Sequence, residues 1–127
     1  MTNREFIEKH QELAVYQMAF DNAMWVFEIV QEFPEEERRS LNQPLVQASR
    51  VVCTKIAEAW QKRRYRDAFV ARLNQSEVAA AEVQTWVEFA VLCSYLEAQT
   101  GQELVQQYHQ ILAGIKRLID HADAWEI

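Results

Sequence analysis

Two glycines and two prolines are all that the 127 residues contain. Gly and Pro supply most of the backbone conformations that tight turns need, and a sheet protein must reverse direction about every 8–12 residues. A chain so poor in both has no means of making the reversals of a β-sandwich or barrel, so long helices with few connections remain. Half of the residues are hydrophobic and a quarter are charged, the balance of a packed globular chain rather than a disordered or membrane-embedded one. One domain over residues 1–127 is expected. At this length it can bury roughly two-thirds of its unfolded surface, a sufficient core without disulfide or metal staples.

The sequence divides into four helical segments. The first is expected from about Asn3 to Phe33 and is stopped by Pro34, which cannot extend a helix without losing a backbone donor. The second starts near Asn42, read as an N-cap with Pro44 in the first turn, and continues to about Tyr65. Asp67 is read as the cap of the third, which reaches about Leu96. The fourth opens at Thr100, whose spacing from Glu103 is that of a capping box, and ends near Ala124. Short connections between long helices make neighbours antiparallel. The expected fold is therefore all-α, an antiparallel up-down-up-down four-helix bundle.

Two of these helices are apolar on both sides. In the first, Leu13, Tyr16, Phe20, Ala23, Met24 and Phe27 form one stripe at helical spacing, read as the face toward the bundle core. A second stripe of Val15, Met18, Trp25, Val26, Ile29 and Phe33 lies opposite. The third helix repeats this, with Phe69, Leu73, Ala80, Val83, Val87 and Val91 on the expected core side and Val78, Trp86, Phe89, Cys93 and Leu96 on the other. The fourth has a single apolar side built on Leu104, Tyr108, Ile111, Ile115 and Leu118, as an outer helix should. A surface helix in a monomeric bundle buries one stripe, so two-faced helices call for a second partner. Self-association is the economical source. The expected oligomer contact uses Val15, Met18, Trp25, Ile29, Phe33, Val78, Trp86 and Phe89.

Charge is distributed unevenly. The chain carries a net −6, yet Arg38 to Arg72 contains nine basic residues against two acidic ones, a net of +7, leaving −13 on the remainder. The run Lys62-Arg63-Arg64-Tyr65-Arg66 joins four cations to an aromatic ring, features that suit phosphate contact and base stacking, docking on an acidic partner, or simple solubility of a turn. Glu58 and Glu82 lie in apolar helical neighbourhoods and are read as structural carboxylates, paired with Arg50 or Lys55.

Little in the sequence points to catalysis. Glu-x-x-His, the spacing of di-iron bundles, is absent, because His10, His109 and His121 follow Ile7, Gln106 and Leu118 at that interval. Cys53 and Cys93 have no nearby partner for a zinc site and are expected as free buried thiols. No phosphate loop or nucleophile elbow occurs. The expected protein is not an enzyme and uses no metal or cofactor. Its charged start, MTNREFIEKHQEL, does not resemble a signal peptide, and no apolar run is long enough to span a bilayer, so a cytoplasmic location is expected.

Several of these elements stand in a familiar order. Phe33-Pro34-Glu35-Glu36-Glu37 matches a Phe-Pro-x-x-Glu element, and Lys55-Ile56-Ala57-Glu58-Ala59 matches Asn-Ile-Ala-Glu-Gly with Lys for Asn and Ala for Gly. Lys62-Arg63-Arg64 follows as a basic turn, and Ala79-Ala80-Ala81-Glu82 takes the place of Ser-Leu-x-Glu. From about Leu13 to Leu96 the chain thus resembles the bacterial four-helix-bundle proteins encoded by intervening sequences in large ribosomal RNA genes. The resemblance implies a homopentameric ring. A related group, the accessory proteins of diversity-generating retroelements, implies a basic surface that meets reverse transcriptase and RNA. A structural or protein-docking ring without any nucleic-acid role is the other reading.

Overall fold

A computed structural model describes residues 7–125. Four helices, α1 (Ala14–Val30), α2 (Gln43–Gln61), α3 (Arg66–Leu92) and α4 (Ala98–Asp120), run alternately up and down as a four-helix bundle. Each packs on its neighbour in sequence, and α1 closes the bundle against α4. The base of the bundle holds the turn between α2 and α3, the segment before α1 and the 3-10 turn Ala122–Trp125. The top holds the connections α1–α2 and α3–α4.

The first helix is much shorter than expected. Glu12 turns back on its own backbone, its carboxylate accepting from the amides of Glu8 at 2.8 Å and Lys9 at 3.0 Å, and the chain makes a 3-10 turn over His10–Glu12. Leu13 then takes an extended conformation before α1 begins. The Trp60 indole donates to the Glu8 carbonyl at 3.1 Å, tying this segment across the base. The expected stretch from Asn3 to Phe6 lies outside the described residues.

Other boundaries move for local reasons. The α1–α2 connection is a 3-10 turn at Glu35–Glu37 followed by a π-helical turn at Arg38–Asn42 that runs straight into α2, so Asn42 is already helical and makes no cap. Tyr65, not Asp67, is the N-cap of α3, and Glu97, not Thr100, is that of α4. α3 stops at Leu92 because Ser94 adopts φ 65°. The Tyr95 amide then donates to Ala90 O at 2.8 Å and the Ser94 amide to Val91 O at 3.0 Å, the bond pair of a Schellman stop.

The core is one cluster running the length of the bundle, with Leu45, Val52, Ile56, Trp60, Phe69, Leu73, Val83, Leu104, Tyr108 and Ile115 sealed from solvent. Small residues are buried along both α2 and α3, Ala48, Ser49 and Ala59 on the one and Ser76, Ala79 and Ala80 on the other. Ser76 Oγ donates to Val52 O at 2.8 Å, so the buried hydroxyl is satisfied across the seam.

On α3 the expected core side is inward, and α4 presents its single apolar side as anticipated. On α1 the expected core stripe is buried only at Leu13 and Ala23, and the stripe opposite it is buried at Val26 and Phe33. Ala19, Asn22, Ala23, Val26 and Val30 face the interior, while Phe20, Met24 and Phe27, assigned to the core, are exposed. The reason lies in α4. Gly114 has no side chain, and a Cβ there would stand 2.7 Å from Val15 Cγ2, so α1 can sit close only with this side turned in. Asn22 Nδ2 completes the contact by donating to Gln107 Oε1 at 3.1 Å.

Candidate functional site

The turn between α2 and α3 carries Lys62, Arg63, Arg64, Tyr65 and Arg66, but it does not present them as one open cluster. Arg63 folds back on α2: its guanidinium carbon lies 4.4 Å from the centre of the Trp60 ring and Nη1 donates to Trp60 O at 2.8 Å. Trp60 in turn meets Trp125 edge-on at 5.1 Å. Arg66 reaches Asp123 at 3.2 Å, an exposed pair of small energetic weight. The side chains of Lys62 and Arg64 have no partner among the described residues, and Tyr65 is exposed. The free part of the turn is thus two cations and one phenol.

The two carboxylates read as structural behave differently from each other. Glu58 is exposed and accepts from Lys55 Nζ at 3.0 Å, the expected partner. Arg72 Nε approaches the same oxygen at 3.4 Å, close enough for charge attraction though not aligned as a hydrogen bond. Arg50 is not involved, since its guanidinium lies 5.5 Å above the Phe27 ring. Glu82 is exposed on α3. Neither carboxylate is buried, because both point to the outer side of their helices.

Cys53 is buried and Cys93 exposed, and both are free. The expectation of two buried thiols fails at Cys93 because α3 ends one residue before it. Burial pushes the Cys53 thiol up to about 11, so it remains protonated at neutral pH. Tyr108 is sealed beside it with its hydroxyl unpaired, and burial raises its phenol as well. Among the described residues no group of three or more His, Cys, Asp or Glu could hold a metal ion, and no helix is long and apolar enough to cross a membrane.

The remaining surface of note is apolar. Of the residues expected in an oligomer contact, Phe33 is buried in the core, and Val15, Met18, Trp25, Ile29 and Trp86 are half-buried against it. Val78 and Phe89 are open, at 62% and 54% exposure, together with Leu92 at 85%. On α1 the open apolar residues are Phe20 at 49%, Met24 at 50% and Phe27 at 42%. Their placement follows from bonds on the opposite flanks. Asn22 reaches α4, so Phe20 and Phe27 lie toward α2, as the Arg50 contact confirms. Gln84 donates to Val105 O of α4 at 3.2 Å, so Val78, Trp86 and Phe89 also lie on the α2 side of α3. Two apolar faces therefore flank α2. Periodicity marked both stripes of α1 and did not distinguish them; Gly114 was the available signal.

The order of these parts and the bundle agree with a family-model match over residues 11–117, that of the 23S rRNA-intervening sequence protein. The chain belongs to this family. A protein of unknown function from the S23 ribosomal protein family of Bacteroides thetaiotaomicron VPI-5482 has a similar solved structure, with TM-score 0.76 over 84% of this chain and 95% of that chain at 17% identity. At that identity the likeness concerns the fold. No curated protein matches the chain.

Proposed function

We propose that this protein is a non-enzymatic binding module whose copies assemble with one another. The observation that carries the reading is the pair of apolar faces flanking α2, with Phe20, Met24 and Phe27 on one side and Val78 and Phe89 on the other. The two faces differ, so a contact between them is head-to-tail, and repeating one such contact closes a ring when its rotation permits. The homopentamer implied by the family resemblance is an assembly of this kind. Light scattering on the purified chain tests it. A mass several times 14.9 kDa is expected, falling toward the monomer in Phe20→Glu or Phe89→Glu with helicity retained. A monomeric wild type at micromolar concentration overturns the reading.

A second reading concerns the partner of such an assembly. Lys62, Arg64 and Tyr65 are free at the base, and in a ring they repeat on one rim, where weak contacts to RNA phosphates multiply. Arg63 and Arg66 support the turn and are not the residues to change. Lys62→Glu with Arg64→Glu is expected to weaken binding of labelled structured RNA at low salt and to leave the assembly intact. Equal binding by both proteins, or none by wild type, favours a ring that docks protein only.

A further inference from the structure

The side of the bundle away from these faces contains a long groove of about 1150 Å³ between α1, α4 and the upper half of α3. It opens where α1 and α4 part company. Near the base Gly114 lets them touch through Val15, and the Asn22–Gln107 hydrogen bond is the bridge at mid-height. Beyond that bridge, Trp25, Val91 and Val105 line an apolar floor, with the strongly exposed Leu92 at its edge. The groove follows α4 from Ala98 to Gln107, ten residues or about 15 Å of helix axis.

Its charge is one-sided. Asp21 from α1, Glu88 from α3 and Glu103 from α4 line it, with glutamines between them, and no Lys, Arg or His does. Three carboxylates from three helices around an apolar floor complement an elongated occupant that is apolar on one side and cationic on its flanks. An amphipathic helix has that form, with apolar residues at i, i+3, i+4 and i+7 and basic residues beside them. The acids exclude a polyanion. The open apolar faces of this chain are flanked by acids, Asp21 and Glu28 on α1 and Glu82 and Glu88 on α3, so a second copy offers no such stripe. We infer that this groove is the docking site for a cationic amphipathic helix of another protein. It is separate from the self-association faces and does not depend on them.

The probe is a fluorescein-labelled 15-residue helical peptide with leucines at i, i+4, i+7 and i+11 and lysines elsewhere, read by anisotropy against the full chain. A counterpart carries glutamates in place of lysines. The lysine peptide is expected to bind saturably, one per chain, and the glutamate peptide not at all. Glu88→Lys with Glu103→Lys is expected to weaken binding at least tenfold. Glu32→Lys with Glu36→Lys makes the same change in net charge outside the groove and is expected to cost less than threefold. Leu92→Ser is expected to weaken binding severalfold through the lost apolar contact. Equal losses in the two charge variants, or no effect at Leu92, mean attraction to an acidic surface without seating and overturn the proposal. So does absence of saturable binding. A drop in the mass of the assembly on Glu88→Lys with Glu103→Lys assigns the groove to a second copy and overturns it too, whereas failure of self-association alone leaves the groove result standing.

Discussion

At the level of single residues, two positions carry more of the architecture than their size suggests. Ser94 ends α3 in the left-handed region, where a Cβ crowds the following carbonyl and glycine does not. Ser94→Gly relieves that crowding and keeps both bonds of the stop. A gain of about 0.5–1 kcal/mol is expected, seen as a rise of the melting temperature by roughly 2–5 °C; a loss means the serine hydroxyl matters more than its backbone. Gly114 sets the spacing of α1 and α4. Alanine is worth about 1 kcal/mol over glycine in a helix, but here its Cβ would meet Val15 Cγ2 at 2.7 Å and the Val15 Cβ at 3.0 Å. Val15 is β-branched and stiff, so α1 must move, and such overpacking costs typically 1–3 kcal/mol. Gly114→Ala alone is therefore expected to lower stability by about 1 kcal/mol. In a Val15→Ala background the same change is expected to raise it, which urea unfolding of the four proteins of the cycle measures.

Among the elements, the two connections at the top are tied to each other. Tyr95 Oη donates to Glu37 Oε2 at 2.8 Å and Ser40 Oγ to Glu37 Oε1 at 2.6 Å. Ser40 first, and Tyr95 second, hold the Glu37 carboxyl below its ordinary value of 4.5. The same bond pushes the Tyr95 phenol up from 10.0 to about 12. The lowered carboxyl adds stability that is complete above pH 4.5 and lost as the pH falls through its folded value. The raised phenol adds stability that is complete below pH 10 and lost as the pH rises toward 12. Tyr95→Phe is thus expected to be less stable than wild type by a constant margin near neutrality, and the margin to shrink at both extremes. Urea midpoints from pH 3 to 11 check this, and a margin independent of pH removes the tie. The elements themselves were legible where propensity and pattern agreed, as in α2, α3 and α4. The start of α1 is not legible because Glu12 bonding to backbone amides leaves no periodic trace, and its orientation is not because two apolar stripes have the same period.

For the whole molecule, the proposed self-association through the exposed apolar faces would couple stability to concentration. A folded state that binds its own kind is stabilised by mass action, so the melting temperature of the wild type is expected to rise with protein concentration over the micromolar range. Phe89→Ser, which removes apolar area from a residue already open to solvent, is expected to abolish that slope with little effect on the dilute chain. A flat wild-type slope removes self-association as the reason for these faces. The helical class, the four segments, the antiparallel order and the basic turn all follow from local quantities: turn residues are scarce, apolar residues recur at helical spacing, and connections are short. These were in the amino-acid sequence alone. Which stripe of α1 is buried, which arginines of the turn are free, and where a groove opens depend on contacts between residues far apart in the chain, Val15 with Gly114, Asn22 with Gln107 and Arg66 with Asp123. Only the tertiary structure decided them, because a side chain's periodicity says that a face is apolar and not what it meets.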